Sequence, residues 1–354
     1  MVGRIPQAVE LCERAGQLYG TIADHELLAH LDSLAWFGWT EGFLERFDRA
    51  DAHLGRALST AREHGHEHLV PLIRAGVAFA ALSRGRLEEA QVQLEGAAEG
   101  ARLHRNDQFL AWTLALTSWA AQLRGDTRAA VDLGAEAVEV AAGRRDVVTV
   151  LAHAWHAEAM LEAGEPRRAR DGLLAAAEGA GLPLVERPYR PRWYEMLVRA
   201  ELATGDVDAA EQWARRGEEA AAGMGLGVRE GDSLRGRAAV HLARGQASQA
   251  ARAAGAAMAA SSGAAAALDV ERARTLLGRA LMATGRPRRR GASCARRRAR
   301  WRPWEHAACI SRRWPSWAWP VRTTTACRRS AAASARWPSS CPAGRPTAKW
   351  RAFW

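Results

Sequence analysis

Apolar residues recur along most of this 354-residue chain with the spacing of paired amphipathic helices, and glycines interrupt them at regular intervals. The glycines that close the apolar runs fall 39 to 41 residues apart: Gly85, Gly125, Gly164, Gly205, Gly245 and Gly285. An alanine lies at a nearly fixed distance after the first five, and one more lies a period earlier: Ala90, Ala130, Ala169, Ala210, Ala250 and Ala50. Two residue columns that persist over so many periods indicate a repeat array.

Each repeat is predicted to contain two helices. In the third repeat an apolar run extends from Asp107 to Arg124, stops at Gly125, and resumes from Asp126 to Ala142. Glycine favours the end of the first helix, and Asp126 is a good N-cap for the second. The alanine column suits two helices whose axes approach closely. We therefore expect antiparallel hairpins that bury their remaining apolar surface against neighbouring hairpins.

The turns carry a family resemblance. The segments Gly85 to Ala90, Gly125 to Ala130, Gly164 to Ala169 and Gly205 to Ala210 resemble the inter-helix turn of tetratricopeptide (TPR) repeats. The period of about 40, longer than the usual 34, is similar to that of the degenerate TPR domain in large ATP-binding regulators of the LuxR class. The resemblance covers roughly residues 1 to 285, and it implies an all-α, TPR-like solenoid of about seven antiparallel helix hairpins.

Residues 286–354 have a different composition. They contain no Leu, a single acidic residue (Glu305), eight Trp and four of the five Cys. Their net charge is +17, whereas residues 1–285 carry −6, so the whole-chain value of +11 averages two unlike segments. Such a segment lacks the apolar residues for a core. We expect a TPR-like helical repeat domain at 1–285 and a disordered, non-globular Arg/Trp-rich tail at 286–354.

The tail has the composition of a shifted reading frame. A one-base shift converts Arg288 to Arg290 into Glu-Glu-Ala, which restores alanine to its column. The same shift converts Ser334 to Cys341 into Glu-Arg-Glu-Val-Ala-Glu-Leu-Val, which resembles the first helices of a LuxR-type helix-turn-helix. Because Gly3 to Ala8 repeats the turn spacing, we expect a chain truncated at both ends. The alternative is a genuine basic tail.

Signals for catalysis, metals and membranes are sparse. The sole lysine, Lys349, excludes a P-loop, so no ATP-binding domain and no cofactor are expected. The segment His64 to His68 and the pair His153 and His156 contain residues of a metal-binding type, but a loop position favours solvation for the first and an apolar helix favours packing for the second. Cys12 is expected to be a small buried residue. The sequence predicts a cytoplasmic protein that is not an enzyme, with no signal peptide and no membrane segment.

The candidate binding surface follows from the TPR register. In that register the residue six positions before each turn glycine faces the concave groove: Trp39, Phe79, Trp119, Glu158, Arg199 and Ala239. Trp112, two turns before Trp119, shares this face. The aromatic residues are suited to stacking on a sugar ring, an aromatic effector or a peptide, with Glu158 and Arg199 orienting it. The alternative is that they fill the space between neighbouring helices.

Together these features predict an effector- or protein-binding TPR segment of a LuxR-type transcriptional regulator. It would lack the ATP-binding domain and an intact DNA-binding domain. Its partner would be a protein or a small-molecule effector in the solenoid groove, and DNA only through a domain not intact in this chain. The alternative is a stand-alone TPR scaffold that mediates protein-protein interaction.

Overall fold

The computed structural model of the protein describes residues 5–284. Within this range the chain forms helices and no strand, in this order: α1 (Ile5–Thr21), α2 (Asp24–Leu27), α3 (Leu31–Phe43), α4 (Phe47–Glu63), α5 (Val70–Ser83), α6 (Leu87–Leu103), α7 (Asp107–Arg124), α8 (Thr127–Val140), α9 (Val147–Glu162), α10 (Pro166–Ala176), α11 (Arg190–Thr204), α12 (Val207–Ala221), α13 (Gly227–Ala243), α14 (Ala247–Gly263) and α15 (Ala267–Thr284). Short 3₁₀ helices span Leu28–His30, Glu67–Leu69 and Arg187–Tyr189. The expected all-α solenoid is confirmed.

Consecutive helices pair into hairpins. Helices α3 to α14 form six complete hairpins, with α1 before them and α15 after them. The first helix of each hairpin also packs against the first helix of the next one. The first helix of each hairpin buries a larger fraction of its residues than the second, and in α5 every residue except Arg74 is buried. A helix that is buried on most sides is surrounded by others, so the first helices lie on the inside of the array.

The turns explain the two sequence columns. The backbone φ angles at Gly85, Gly125, Gly164, Gly205 and Gly245 all lie between 71° and 90°, a left-handed region that favours glycine. After each, the next N–H donates to the carbonyl five residues back, as from Asp126 N to Ala121 O at 3.0 Å. The Asp126 carboxylate accepts from Ala129 N, which confirms the predicted cap. All six column alanines are fully buried.

Glu45 occupies the turn position where the other hairpins have glycine. Its φ is 62°, and its carboxylate is buried. The carboxylate accepts hydrogen bonds from Val228 N at 2.8 Å and Arg229 N at 3.2 Å, at the start of α13. The N-cap residue of α13, Leu226, offers no side-chain acceptor, so Glu45 satisfies helix N–H groups that its own hairpin cannot. This contact joins the first complete hairpin to the sixth.

Residues 1–4 and 285–354 lie outside the described range, and so do several predictions made from them. These are the domain boundary after residue 285, the Arg/Trp-rich tail, the seventh turn at Gly285 and the shifted-frame helix-turn-helix, which all stay predictions. None of the helices described between residues 5 and 284 has the length and apolar character needed to cross a bilayer.

Candidate functional site

Three of the aromatic residues predicted to face the groove pack against one another along the inside of the array. Trp39 of α3 and Phe79 of α5 have ring centroids 5.5 Å apart, and Phe79 lies 6.3 Å from Trp119 of α7. All three are buried, and Trp39 also donates its indole N–H to the Leu72 carbonyl at 3.0 Å. The half-buried Trp112 lies 4.7 Å from Trp39. The column residues therefore meet in space, largely by packing on one another.

The two predicted charged residues, Glu158 and Arg199, form an ion pair within the protein. Arg199 of α11 binds Glu158, and its remaining nitrogens lie 3.1 Å from Glu162 and 3.2 Å from Glu195. Burial by itself would raise the pKa of the Glu158 carboxyl, but the guanidinium groups of Arg199 and Arg192 hold it below its usual range. Burial raises the pKa of Glu162 to about 7. Arg199 thus uses its donors within the protein, joining α9 to α11.

An apolar cavity of about 210 Å³ lies beside the aromatic column, and we call it the aromatic cavity. Its walls come from the first helices of five successive hairpins and from the connection before α11. It is lined by Trp36, Trp39, Phe43, Phe79, Gln108, Trp112, Leu116, Val147, Val148, Val150, Leu151, Trp155, Leu184, Val185, Glu186, Tyr189 and Trp193. Eight of these side chains are aromatic, so flat π faces form much of the lining.

The cavity includes three of the predicted site residues and leaves out the other three. Trp39, Phe79 and Trp112 line it, whereas Trp119, Glu158 and Arg199 do not. Among the missed residues, Trp36, Leu116 and Trp155 each lie three positions before the predicted column, one helical turn away on nearly the same face. That spacing was a usable sequence signal.

Tyr189 and Glu186 belong to the irregular connection between α10 and α11, which no helical period predicts. They and their neighbours Leu184 and Val185 close one side of the cavity. The ring of Tyr189 stands edge-on to Phe43, with centroids 5.6 Å apart.

The polar chemistry of the cavity is limited. Gln108 and Glu186 are the only lining residues with an amide or carboxylate side chain, and the lining contains no Arg, Lys or His. Trp36 and Val147 are 45% and 43% exposed, which places apolar surface at the boundary between the cavity and solvent. Both are exceptions, because most large apolar side chains between residues 5 and 284 are buried or half-buried.

Two buried guanidinium groups lie over aromatic residues of the cavity without lining it. Arg192 lies 4.6 Å from the ring centroid of Trp155 and 5.4 Å from that of Trp193. Arg229 lies 4.9 Å from the ring of Tyr189. Burial, assisted by nearby Arg272, lowers the pKa of Arg192 to about 10. These rings therefore already interact with cations of the protein.

The other candidate residues occupy structural positions. Within residues 5–284 no group of three or more His, Cys, Asp or Glu is arranged to hold a metal ion. In the segment His64 to His68, the Nδ1 atom of His64 lies 3.1 Å from the Thr60 carbonyl oxygen. His156 packs against Gly134, and burial lowers its pKa. Cys12 is buried, and burial raises the pKa of its thiol.

Comparisons with known proteins give a structural similarity and no family assignment. No protein-family model and no curated protein matches the sequence. Among solved structures, the chain is similar to the TPR2AB domain of yeast Sti1, in its complex with pHSP90. The identity is 16%, the match covers 72% of this chain and 99% of that one, and the TM-score is 0.29. At that score the match supports no statement about a partner.

Proposed function

We propose that the helical repeat binds a small effector in the aromatic cavity, and that the chain serves as the effector-sensing segment of a LuxR-type transcriptional regulator. The observation that carries this proposal is the cavity itself, whose walls come from five successive hairpins. A ligand that contacts all five favours one arrangement of the hairpins over others, and that differential binding is what sensing requires.

The regulator assignment rests on the resemblance of the turns and the period to the LuxR class. In this proposal residues 1–285 form the sensing domain, and the chain meets DNA only through a domain that is not intact in it. No catalytic role is proposed for the cavity, because its lining offers no nucleophile paired with a base.

The test is a thermal-shift screen of the full chain against a library of small effectors. A ligand that binds the folded state raises the unfolding temperature with its concentration. Leu151→Trp places a larger side chain in the cavity wall and is expected to abolish the shift. Leu103→Trp makes the same substitution at a site that is 76% exposed and outside the cavity, so it should keep the shift. Ligands whose effect is identical in both variants bind elsewhere and contradict the proposal.

A stand-alone scaffold for another protein is the second candidate, and the exposed Trp36 and Val147 at the cavity boundary favour it. A contiguous apolar patch at a surface is typical of places where another chain docks. Shifts produced by apolar peptides and by no small molecule would support the scaffold. In that case Trp36→Ala should weaken peptide binding more than Leu103→Ala.

A further inference from the structure

The volume of the aromatic cavity limits what it holds. An apolar cavity of about 150 Å³ accommodates benzene, so the 210 Å³ found here suits a compound of one or two fused rings. A sugar of that size carries several hydroxyl groups, each of which needs a hydrogen-bond partner when buried. The hydroxyl protons of a sugar would find side-chain acceptors only on Gln108, Glu186 and Tyr189, because the indole groups of the lining can only donate, so the lining disfavours a sugar.

The walls favour a planar ligand. The partly exposed rings of Trp36 and Trp112 have centroids 6.3 Å apart, and Trp112 lies 4.7 Å from the buried Trp39. Flat rings in this arrangement contact a flat ligand over more of its surface than a branched one. Aromatic pairs contribute stabilisation beyond the area that they bury.

The charges around the cavity select against ions of either sign. An anion entering the cavity would be desolvated without a cationic side chain in the lining to receive it. A cation would approach rings of Trp155, Trp193 and Tyr189 that already contact the guanidinium groups of Arg192 and Arg229. Arg229 is paired with Glu45 and Asp232, so the repulsion of a further cation comes mainly from Arg192 and nearby Arg272.

We infer that the aromatic cavity binds a neutral, planar ligand of one or two rings that carries an N–H or O–H donor; this inference rests on the proposed function. The side-chain oxygens of Gln108 and Glu186 accept hydrogen bonds, so a ligand donor finds a partner there. The ring faces hold the body of the ligand, and the polar side chains fix its orientation.

Isothermal titration calorimetry of the full chain with three matched probes tests this inference. The probes are indole, 1-methylindole, which lacks the donor, and indole-3-carboxylate, which adds a negative charge. Loss of the donor is expected to weaken binding about fivefold, the effect of one hydrogen bond. The carboxylate should weaken it by at least about thirtyfold, because a buried anion has no partner. Leu151→Trp should abolish indole binding, and Leu103→Trp should leave it unchanged.

The polar contact is tested separately with Gln108→Leu and Glu186→Leu. At least one of these variants should bind indole and 1-methylindole equally, because the acceptor has been removed. If both variants keep the preference for indole, the assignment of the donor is wrong.

The outcomes separate this inference from the proposed function. Equal binding of indole and indole-3-carboxylate overturns the ligand class while the cavity remains a binding site. Failure of all three probes also overturns the ligand class. In that case the proposed function still stands if the thermal-shift screen finds effectors whose shift disappears in the Leu151→Trp variant. Failure of both the probes and the screen overturns both.

Discussion

At the scale of single residues, one missing side chain sets the distance between α8 and α9. The position nine residues after each turn residue is buried throughout the array, and it is occupied by Leu54, Leu94, Gly134, Leu173, Ala214 and Ala254. A Cβ added to Gly134 would lie 2.9 Å from the Cα of His156. The backbone of α9 therefore comes closer here than any side chain allows, which accounts for the partial burial of His156.

Gly134→Ala should destabilise the protein by about 1–3 kcal/mol, because the contact is with backbone that cannot move without shifting α9. Gly255→Ala in α14 is the matched control, since a Cβ there meets nothing within 4 Å. It should stabilise the helix by about 0.5–1 kcal/mol. Urea unfolding followed by far-UV circular dichroism measures both effects. Equal stabilisation by the two substitutions would contradict the close approach of α8 and α9.

At the scale of elements, neighbouring first helices are joined by buried charge as well as by aromatic packing. Glu158 and Glu162 of α9 face Arg199 of α11, which also contacts Glu195 of its own helix. Burial disfavours the charged form of Glu162, and although Arg199 and Arg272 oppose that effect, the neighbouring Glu158 adds to it. One of the carboxyl groups responds by holding its proton to higher pH.

The pKa of Glu162 makes stability depend on pH. Burial raises this pKa from 4.5 to about 7 in the folded chain. Between those values the folded state holds a proton that the unfolded state has lost, so the stabilising contribution is full below pH 4.5 and is lost as the pH rises through 7. Glu162→Gln should remove this loss, so the variant gains stability relative to the parent between pH 5 and 8.

Unfolding midpoints in urea across that pH range measure the difference. The exposed Glu139→Gln in α8 is the control, and its difference from the parent should stay constant with pH. A constant difference for Glu162→Gln as well would show that Glu162 is ionised in the folded protein throughout.

The helices and the cavity also show how much of the structure can be predicted from the sequence. The period and the apolar run gave α7 its observed bounds, Asp107–Arg124, because helix ends are set by local residues such as Gly125 and Asp126. Of the residues that line the aromatic cavity, the repeat period predicted Trp39, Phe79 and Trp112. It did not predict Tyr189 or the residues before it, because an irregular connection has no helical register. A repeat pattern also does not show which helix faces pack together and which enclose a cavity.

At the scale of the described array, the contact between Glu45 and α13 joins residues more than 180 positions apart. Here the turn glycine has been replaced by a residue with an unfavourable φ of 62°, and the carboxylate caps a distant helix. A non-glycine residue in this region costs about 1–2 kcal/mol. Hydrogen bonds from buried N–H groups to a carboxylate contribute about 1.5–3 kcal/mol each. Burial raises the pKa of the Glu45 carboxyl, so desolvation offsets part of this gain.

Glu45→Gly separates the two effects, because it restores the turn residue of the other hairpins and removes the cap. We expect a net loss of about 1–3 kcal/mol, because the unpaired N–H groups of Val228 and Arg229 cost more than the relieved strain returns. Glu45→Gln keeps an acceptor oxygen and should lose less. Hydrogen exchange of the Val228 and Arg229 amides is the direct measurement: protection should fall in Glu45→Gly and persist in Glu45→Gln. Increased stability of Glu45→Gly, with unchanged protection at these two amides, would mean that the first complete hairpin and α13 do not meet through this carboxylate.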